Sequence, residues 1–290
     1  MGAMVDGVLD SLGIQIGEEL PFVLERWPRV LSGRLSSLLR PFLAGDGSIP
    51  AEPSVVRWGS KGLCPRPGAR REGTPGEWIW HSDRLPDGLA FKASVRVSRR
   101  GFDAEVVMDQ NDFTGAATDE LVFRLLPAVL GELALLRGWV LLHAAGICWR
   151  EEALVLPGES GSGKSTIAVA AASQGWPVLS EDLAWIRVPQ ATTEVCRVVG
   201  FPRPGIDVVP FSEVVEERPV RALVFPSLAP VGENVVERLS AGEVVRRLND
   251  ACVALGSPFS QESRFQAIAR LANTVSGFDW RRSRVEGKVP

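Results

Sequence analysis

The chain has no tyrosine and only two histidines, His81 and His143, among 290 residues. No phenol is therefore available as acid, base or nucleophile. With two imidazoles a multi-histidine metal centre is nearly excluded. The four cysteines, Cys64, Cys148, Cys196 and Cys252, lie far apart and form no CxxC pair. That spacing predicts reduced, mostly buried thiols in a cytosolic protein, not a disulfide framework or a zinc site. Lysine is also scarce, with Lys61, Lys92, Lys164 and Lys288 the four among 32 basic residues. No apolar run reaches the roughly 18 residues that a membrane helix needs. The opening MGAMVDGVLD lacks the basic start and apolar core of a signal peptide. The 35 acidic residues nearly balance the basic ones, for a net charge of −3. No strong field therefore favours nucleic acid or an anionic membrane. A cytoplasmic protein with neither partner is expected.

What is present is ordinary for a folded chain, with 45% hydrophobic and 23% charged residues. The length allows one large domain or two small ones. Apolar positions from Leu20 to Phe42 recur at helical spacing, with Pro28 and Pro41 as interruptions. Residues 44–87 are rich in Gly, Pro and charge and read as loops around one short strand, Trp78–Trp80. The Trp-rich stretch from Glu77 to His81 is a candidate lining for a groove. Leu89–Val97 and Phe102–Met108 alternate and predict a β-hairpin. A helix follows, with Leu121, Leu125, Val129, Leu133 and Leu136 on one stripe, Thr118 as N-cap and Gly138 as stop. These changes of texture suggest an N-terminal helical and β-rich subdomain over residues 1–115 and a second domain over 116–290.

The second domain holds the one motif that carries chemistry. Two apolar runs, Trp139–Cys148 and Ala153–Leu156, predict strands joined by a turn at Arg150-Glu151-Glu152. Then Gly158-Glu159-Ser160-Gly161-Ser162-Gly163-Lys164-Ser165 matches G-x-x-x-x-G-K-[ST] in full, with Thr166 following. The glycines let backbone N–H groups turn inward around phosphate oxygens. A helix beginning near Lys164 aims its positive end at the same anion. Lys164 is placed to reach the β- and γ-phosphates of a nucleotide, and Ser165 to ligate Mg²⁺. No LSGGQ-like signature and no NKxD-like guanine reader occurs.

Alanine-rich Ile167–Gln174 reads as helix with Gly175 as its stop, and Trp176–Ser180 as a short strand ending in Glu181-Asp182. A helix of that length carries the chain about 15 Å away at 1.5 Å per residue. The next strand should return parallel to the first, as a right-handed βαβ unit. Glu181 and Asp182 would then land beside the phosphate loop. One carboxylate could hold Mg²⁺ and the other accept a proton from an acceptor hydroxyl. His143 lies in the strand whose turn leads back into the loop strand. From spacing alone it is either a core histidine or a residue at the edge of the site.

The stretch from Leu141 to Val188, with His143, the Gly158–Ser165 loop and Glu181-Asp182 in that order, resembles HPr kinase/phosphorylase and its looser HPr-kinase-like relatives. The close likeness covers about 50 residues. Weaker likeness extends to GFPRP at 200–204, a strand at Ala222–Phe225 and a final helix and strand over Phe265–Trp280. The resemblance implies an α/β fold, a P-loop kinase core of the HPr kinase/phosphoenolpyruvate carboxykinase type, with an N-terminal α+β subdomain. It implies ATP and Mg²⁺ as cofactors, and a peptide or protein bearing an acceptor serine as partner. The looser relatives include kinases of ribosomal peptide precursors and of free serine. Carried over by position, it places Lys164 and the loop amides on phosphates, and Ser165 and Asp182 on Mg²⁺. It makes Glu181 the general base, puts His143 near the transferred phosphoryl and Ser160 near the γ-phosphate. Family members often assemble, so a homo-oligomer is compatible with it. The family's acidic pair is usually Asp-Asp, and here the first member is Glu181, one methylene longer. A small-molecule hydroxyl kinase and a nucleotide-binding regulator without transfer activity are the alternatives. Arg203, between two prolines, is a further candidate phosphate contact.

Overall fold

The computed structural model describes residues 8–16, 20–28, 31, 35, 39, 42, 53–58, 77–82, 93–98, 103–108, 121–191, 194–201, 217–229 and 234–283. They form a mixed α/β protein with two sheets. The chain divides into two compact units. One comprises Met1–Arg137 with Ala254–Gln261, the other Gly138–Val253 with Glu262–Pro290.

The first unit is built on a six-stranded sheet. Its strands are β1 (Val8–Ile16), β2 (Leu20–Pro28), β3 (Ser54–Trp58), β4 (Glu77–Ser82), β5 (Ala93–Ser98) and β6 (Asp103–Met108). Their order across the sheet is β1-β2-β3-β6-β5-β4. β5 and β6 pair antiparallel, the hairpin expected from their alternation. Trp78–Trp80 lies inside β4, whose backbone pairs with β5.

One expectation is overturned: Leu20–Pro28 is a strand, not the start of a helix. It pairs antiparallel with β1, Ile14 opposite Phe22 and Ile16 opposite Leu20, and parallel with β3. The run Leu20 to Leu24 is buried throughout, and Trp27 donates its indole N–H to Val56 O at 3.0 Å. A continuous apolar run suits a strand covered on both faces as well as a helix. The ladder with β1 and β3 decides between them. Leu35 and Leu39, later in the same predicted helix, are helical.

This unit also contains α1 (Leu126–Leu135), entered through a π-helical turn at Leu121–Leu125. The expected N-cap, Thr118, lies outside the described residues. Gly138, just beyond the helix, has φ +80°, a conformation that suits glycine. On α1 the carboxylate of Glu132 is fully buried. It accepts hydrogen bonds from Gly256 N at 2.9 Å, Ser257 N at 3.2 Å and the Ser257 hydroxyl.

The second unit carries an eight-stranded sheet. Its strands are β7 (Trp139–Trp149), β8 (Glu152–Pro157), β9 (Val178–Ser180), β10 (Leu183–Arg187), β11 (Arg197–Phe201), β12 (Arg218–Ala229), β13 (Asn234–Arg238) and β14 (Gly277–Ser283). The path runs β11-β10-β7-β8-β12-β14-β13, with β9 beside β7 and a further pairing of β11 with β12. That extra pairing closes β12-β11-β10-β7-β8 into a ring. The helices of this unit are α2 (Lys164–Ser173), α3 (Ala241–Ala251) and α4 (Gln261–Thr274). β7 and β8 form a hairpin closed at Trp149–Glu152, with Arg150 at φ 58°.

Alanines let α2 lie close to the sheet. Ala168 packs in a buried cluster with Ala145, Ile147, Leu156 and Val178, flanked by Ile167 and Ala171. α2 ends as its sequence suggests. Gly175, at φ +82°, donates to Ala172 O and Trp176 N donates to Ala171 O, the paired bonds of a glycine-capped C-terminus.

Among the described cysteines no disulfide forms, and burial pushes the Cys196 thiol up to about 11. Cys64 lies outside the described residues. Among the described residues no helix is long and apolar enough to cross a membrane.

Candidate functional site

β8 delivers the Gly158–Ser165 loop and β9 delivers the acidic pair, with β7 between them. β7 runs antiparallel to both, so β8 and β9 point the same way. Backbone bonds hold the ends of β8 and β9 against the middle of β7, at His143 and Ala144. Gly158 N donates to His143 O at 3.2 Å, and Ala144 N donates to Asp182 O at 2.8 Å. The loop and the acidic pair therefore flank the same residue of β7.

The bend that carries Glu181 and Asp182 is set by Ser180, which is fully buried. Its hydroxyl oxygen accepts from Asp182 N at 3.3 Å and Leu183 N at 3.2 Å, and it donates to the Leu183 carbonyl. A serine side chain thus replaces the ladder where β9 turns into β10. Behind it, a Cβ added at Gly200 would fall on the Leu179 carbonyl, with Leu179 Cα at 3.1 Å. Glycine at position 200 lets β11 pass this close to β9.

At the bend the two acids are treated differently. Glu181 is buried, 3% exposed. Asp182 keeps a partly exposed carboxylate, and its Oδ1 lies 2.8 Å from His143 Nε2. His143 is partly exposed as well, so it is not a plain core histidine. A carboxylate only accepts, so the bond requires the proton on Nε2 and leaves Nδ1 as the basic nitrogen of a neutral ring.

In the loop, Gly161 and Gly163 have φ +83° and +95°, values that disfavour any side chain. A Cβ at Gly158 would stand 3.0 Å from Ser162 Oγ. Glu159, Ser160, Gly161 and Ser165 are exposed, and Gly158, Ser162, Gly163 and Thr166 are partly so. Lys164 opens α2 and is 4% exposed. Its ammonium donates to Gly158 O at 2.7 Å and Glu159 O at 2.8 Å, folding back across its own loop. Burial pulls its pKa below the ordinary lysine value, against the opposing charges of Asp182 and Glu159. Asp182 is thus electrostatically coupled both to His143 and to the loop lysine.

Among the described residues no group of three or more His, Cys, Asp or Glu could by itself hold a metal. Mg²⁺ bound with a nucleotide does not need such a cage, because phosphate and water oxygens supply most of its ligands. One exposed hydroxyl, Ser165, and one partly exposed carboxylate, Asp182, are a donor set that fits it.

Two features of the site are not legible in the sequence. One is the His143–Asp182 bond itself. The other is Arg282 on β14, whose guanidinium lies against Gly163. Nothing in its local sequence distinguishes it from Arg281 or Arg284. Arg203 lies outside the described residues. No family model matches the chain, and no curated protein matches it.

Proposed function

We propose that the chain is an ATP- and Mg²⁺-dependent kinase that transfers the γ-phosphoryl group to a hydroxyl, with a serine of a peptide or protein as acceptor. The observation that carries this reading is the His143–Asp182 pair, 2.8 Å apart, at the point of β7 that Gly158 also bonds. A full phosphate-loop motif alone speaks for nucleotide binding. A carboxylate-oriented imidazole beside it speaks for proton transfer. In this reading the second unit is a P-loop kinase core of the HPr kinase/phosphoenolpyruvate carboxykinase type.

In the proposed reaction the amides of Gly161 to Thr166 and the start of α2 bind phosphate oxygens. Lys164 exchanges its bonds to Gly158 O and Glu159 O for the β- and γ-phosphates, where its charge offsets the charge that develops during transfer. Ser165 and Asp182 would hold Mg²⁺, which supplies charge neutralisation across those phosphates. The acceptor oxygen forms its bond to the γ-phosphorus as the bond from phosphorus to the β–γ bridging oxygen breaks, and ADP leaves. The acceptor proton passes to Nδ1 of His143, while Asp182 keeps the ring oriented and offsets the imidazolium that forms. The burial of Glu181 supports giving this role to His143.

The test is incubation with γ-labelled ATP, Mg²⁺ and serine-containing peptides encoded near the gene, read by mass spectrometry. A phosphoryl adduct on a peptide serine is the expected result. An adduct on free serine alone would move the acceptor to the small-molecule class. ATP hydrolysis with no acceptor labelled would replace the kinase by a nucleotide-binding regulator.

A further inference from the structure

α2 begins at Lys164 and directs the positive end of its dipole at the phosphate loop. A second positive group already stands there. The Arg282 guanidinium covers Gly163 so closely that a Cβ added to the glycine would overlap it, with Cζ at 2.9 Å and Nε at 3.2 Å. Its Nη2 donates to Gly163 O at a long 3.4 Å. Its Nε is buried and has no hydrogen-bond partner. Burial lowers its pKa from the ordinary arginine value.

The neighbouring arginine shows what is unusual. Side chains alternate along a strand, so Arg281 and Arg282 leave β14 on opposite faces. Arg281 pairs with Glu237 at 2.8 Å and Asp279 at 3.5 Å. Arg282 has no carboxylate partner among the described residues. A cation beside a helix N-terminus is repelled by the dipole, and here the long bond to Gly163 O is its one offset among the described residues, with no carboxylate beside it. Ser162 Oγ, in the same loop, is likewise buried and without a hydrogen-bond partner. A trianionic or tetra-anionic phosphate chain would satisfy all three features together.

We propose that Arg282 is a phosphate-binding residue of the nucleotide site, its planar fork taking phosphate oxygens alongside Lys164 and the loop amides. This rests on the nucleotide-dependent reading above. It also gives Gly163 a second reason to be glycine: besides its left-handed backbone, it leaves room for the guanidinium.

The experiment measures ATP and ADP affinity, each with Mg²⁺, by calorimetry, together with the melting temperature with and without ATP. The proteins are the wild type, Arg282→Met, Arg282→Lys and Arg281→Met. For Arg282→Met the expected result is at least about tenfold weaker ATP binding and a smaller ATP-induced rise in melting temperature. The ligand-free melting temperature should not fall. Arg282→Lys should recover part of the affinity, and Arg281→Met should bind as the wild type does. If the wild type binds ATP and both Arg282 variants bind it equally well, the proposal is overturned and the kinase reading stands. If the wild type binds no nucleotide, the kinase reading fails and the proposal with it. If Arg282→Met does not fold, Arg282→Lys decides, because it keeps the charge and loses the fork: weaker ATP binding supports the proposal and unchanged binding overturns it.

Discussion

His143 Nε2 and Asp182 Oδ1 lie 2.8 Å apart although 39 residues separate them in the chain. One comes from the middle of a long strand and the other from the bend after a short one. Their meeting makes an oriented imidazole out of two side chains that the sequence could assign only singly.

If the pair acts as one device, its members should fail together. His143→Gln and Asp182→Asn are each expected to lower kcat by about 100-fold or more, the usual range for a lost acid–base group. The double variant should be little worse than the weaker single one. Initial rates with labelled ATP and an accepted peptide check this. Multiplying losses would show that the two residues act separately.

Lys164 should be costly for folding and necessary for transfer. Its folded-state pKa lies below the ordinary lysine value because of burial. The unfolded chain then holds the proton more tightly, so stability rises with pH between the folded and unfolded pKa values. Lys164→Met is expected to abolish transfer without lowering the melting temperature at neutral pH. It should also remove that alkaline rise, as thermal melts across an alkaline pH series would show.

Two glycines should respond to alanine by different physics. Gly200→Ala places a methyl group on the Leu179 carbonyl, a backbone atom that cannot step aside. A loss of about 2 kcal/mol or more is expected. Gly175→Ala meets open space and costs only its left-handed φ of +82°, about 1 kcal/mol. Urea unfolding of both variants should give this order.

Glu132 should be a structural anchor of the first unit. Its buried carboxylate satisfies two amides and a hydroxyl at Gly256 and Ser257. Glu132→Ala leaves those donors without an acceptor and is expected to cost about 2–4 kcal/mol. Amide hydrogen exchange at Gly256 and Ser257 should accelerate with it.

Hydrogen bonds from Arg246 and then Arg247 pull the Glu243 carboxyl down to about 2. A depressed acid contributes stability above its unfolded pKa and loses it as pH falls through the folded one. The contribution of Glu243 should therefore fade between about pH 4.5 and 2. A side-chain NMR titration should find its midpoint near 2 at low salt and higher in strong salt.

Where structure depends on near neighbours, the sequence was readable. Alternation predicts the β5–β6 hairpin, and the apolar runs on either side of Arg150 predict β7 and β8. Glycine and lysine spacing predicts the loop from Gly158 to Ser165, because its conformation is set by residues within a few positions of one another. The capped end of α2 at Gly175 is local in the same sense. The apolar run of Leu20–Pro28 fits either period, and only the ladders with β1 and β3 choose the strand.

By itself, then, the sequence determined the mixed α/β character, the phosphate-loop motif and the acidic pair, all properties of composition and short-range spacing. Tertiary structure alone decided which partners meet. Backbone pairing across β8, β7 and β9 brings Asp182 to His143, and the placement of β14 brings Arg282 to Gly163, 119 residues away in sequence. A residue's period along the chain shows which face it occupies. Which side chain lies opposite depends on strand order and register, and these arise only when the sheet closes.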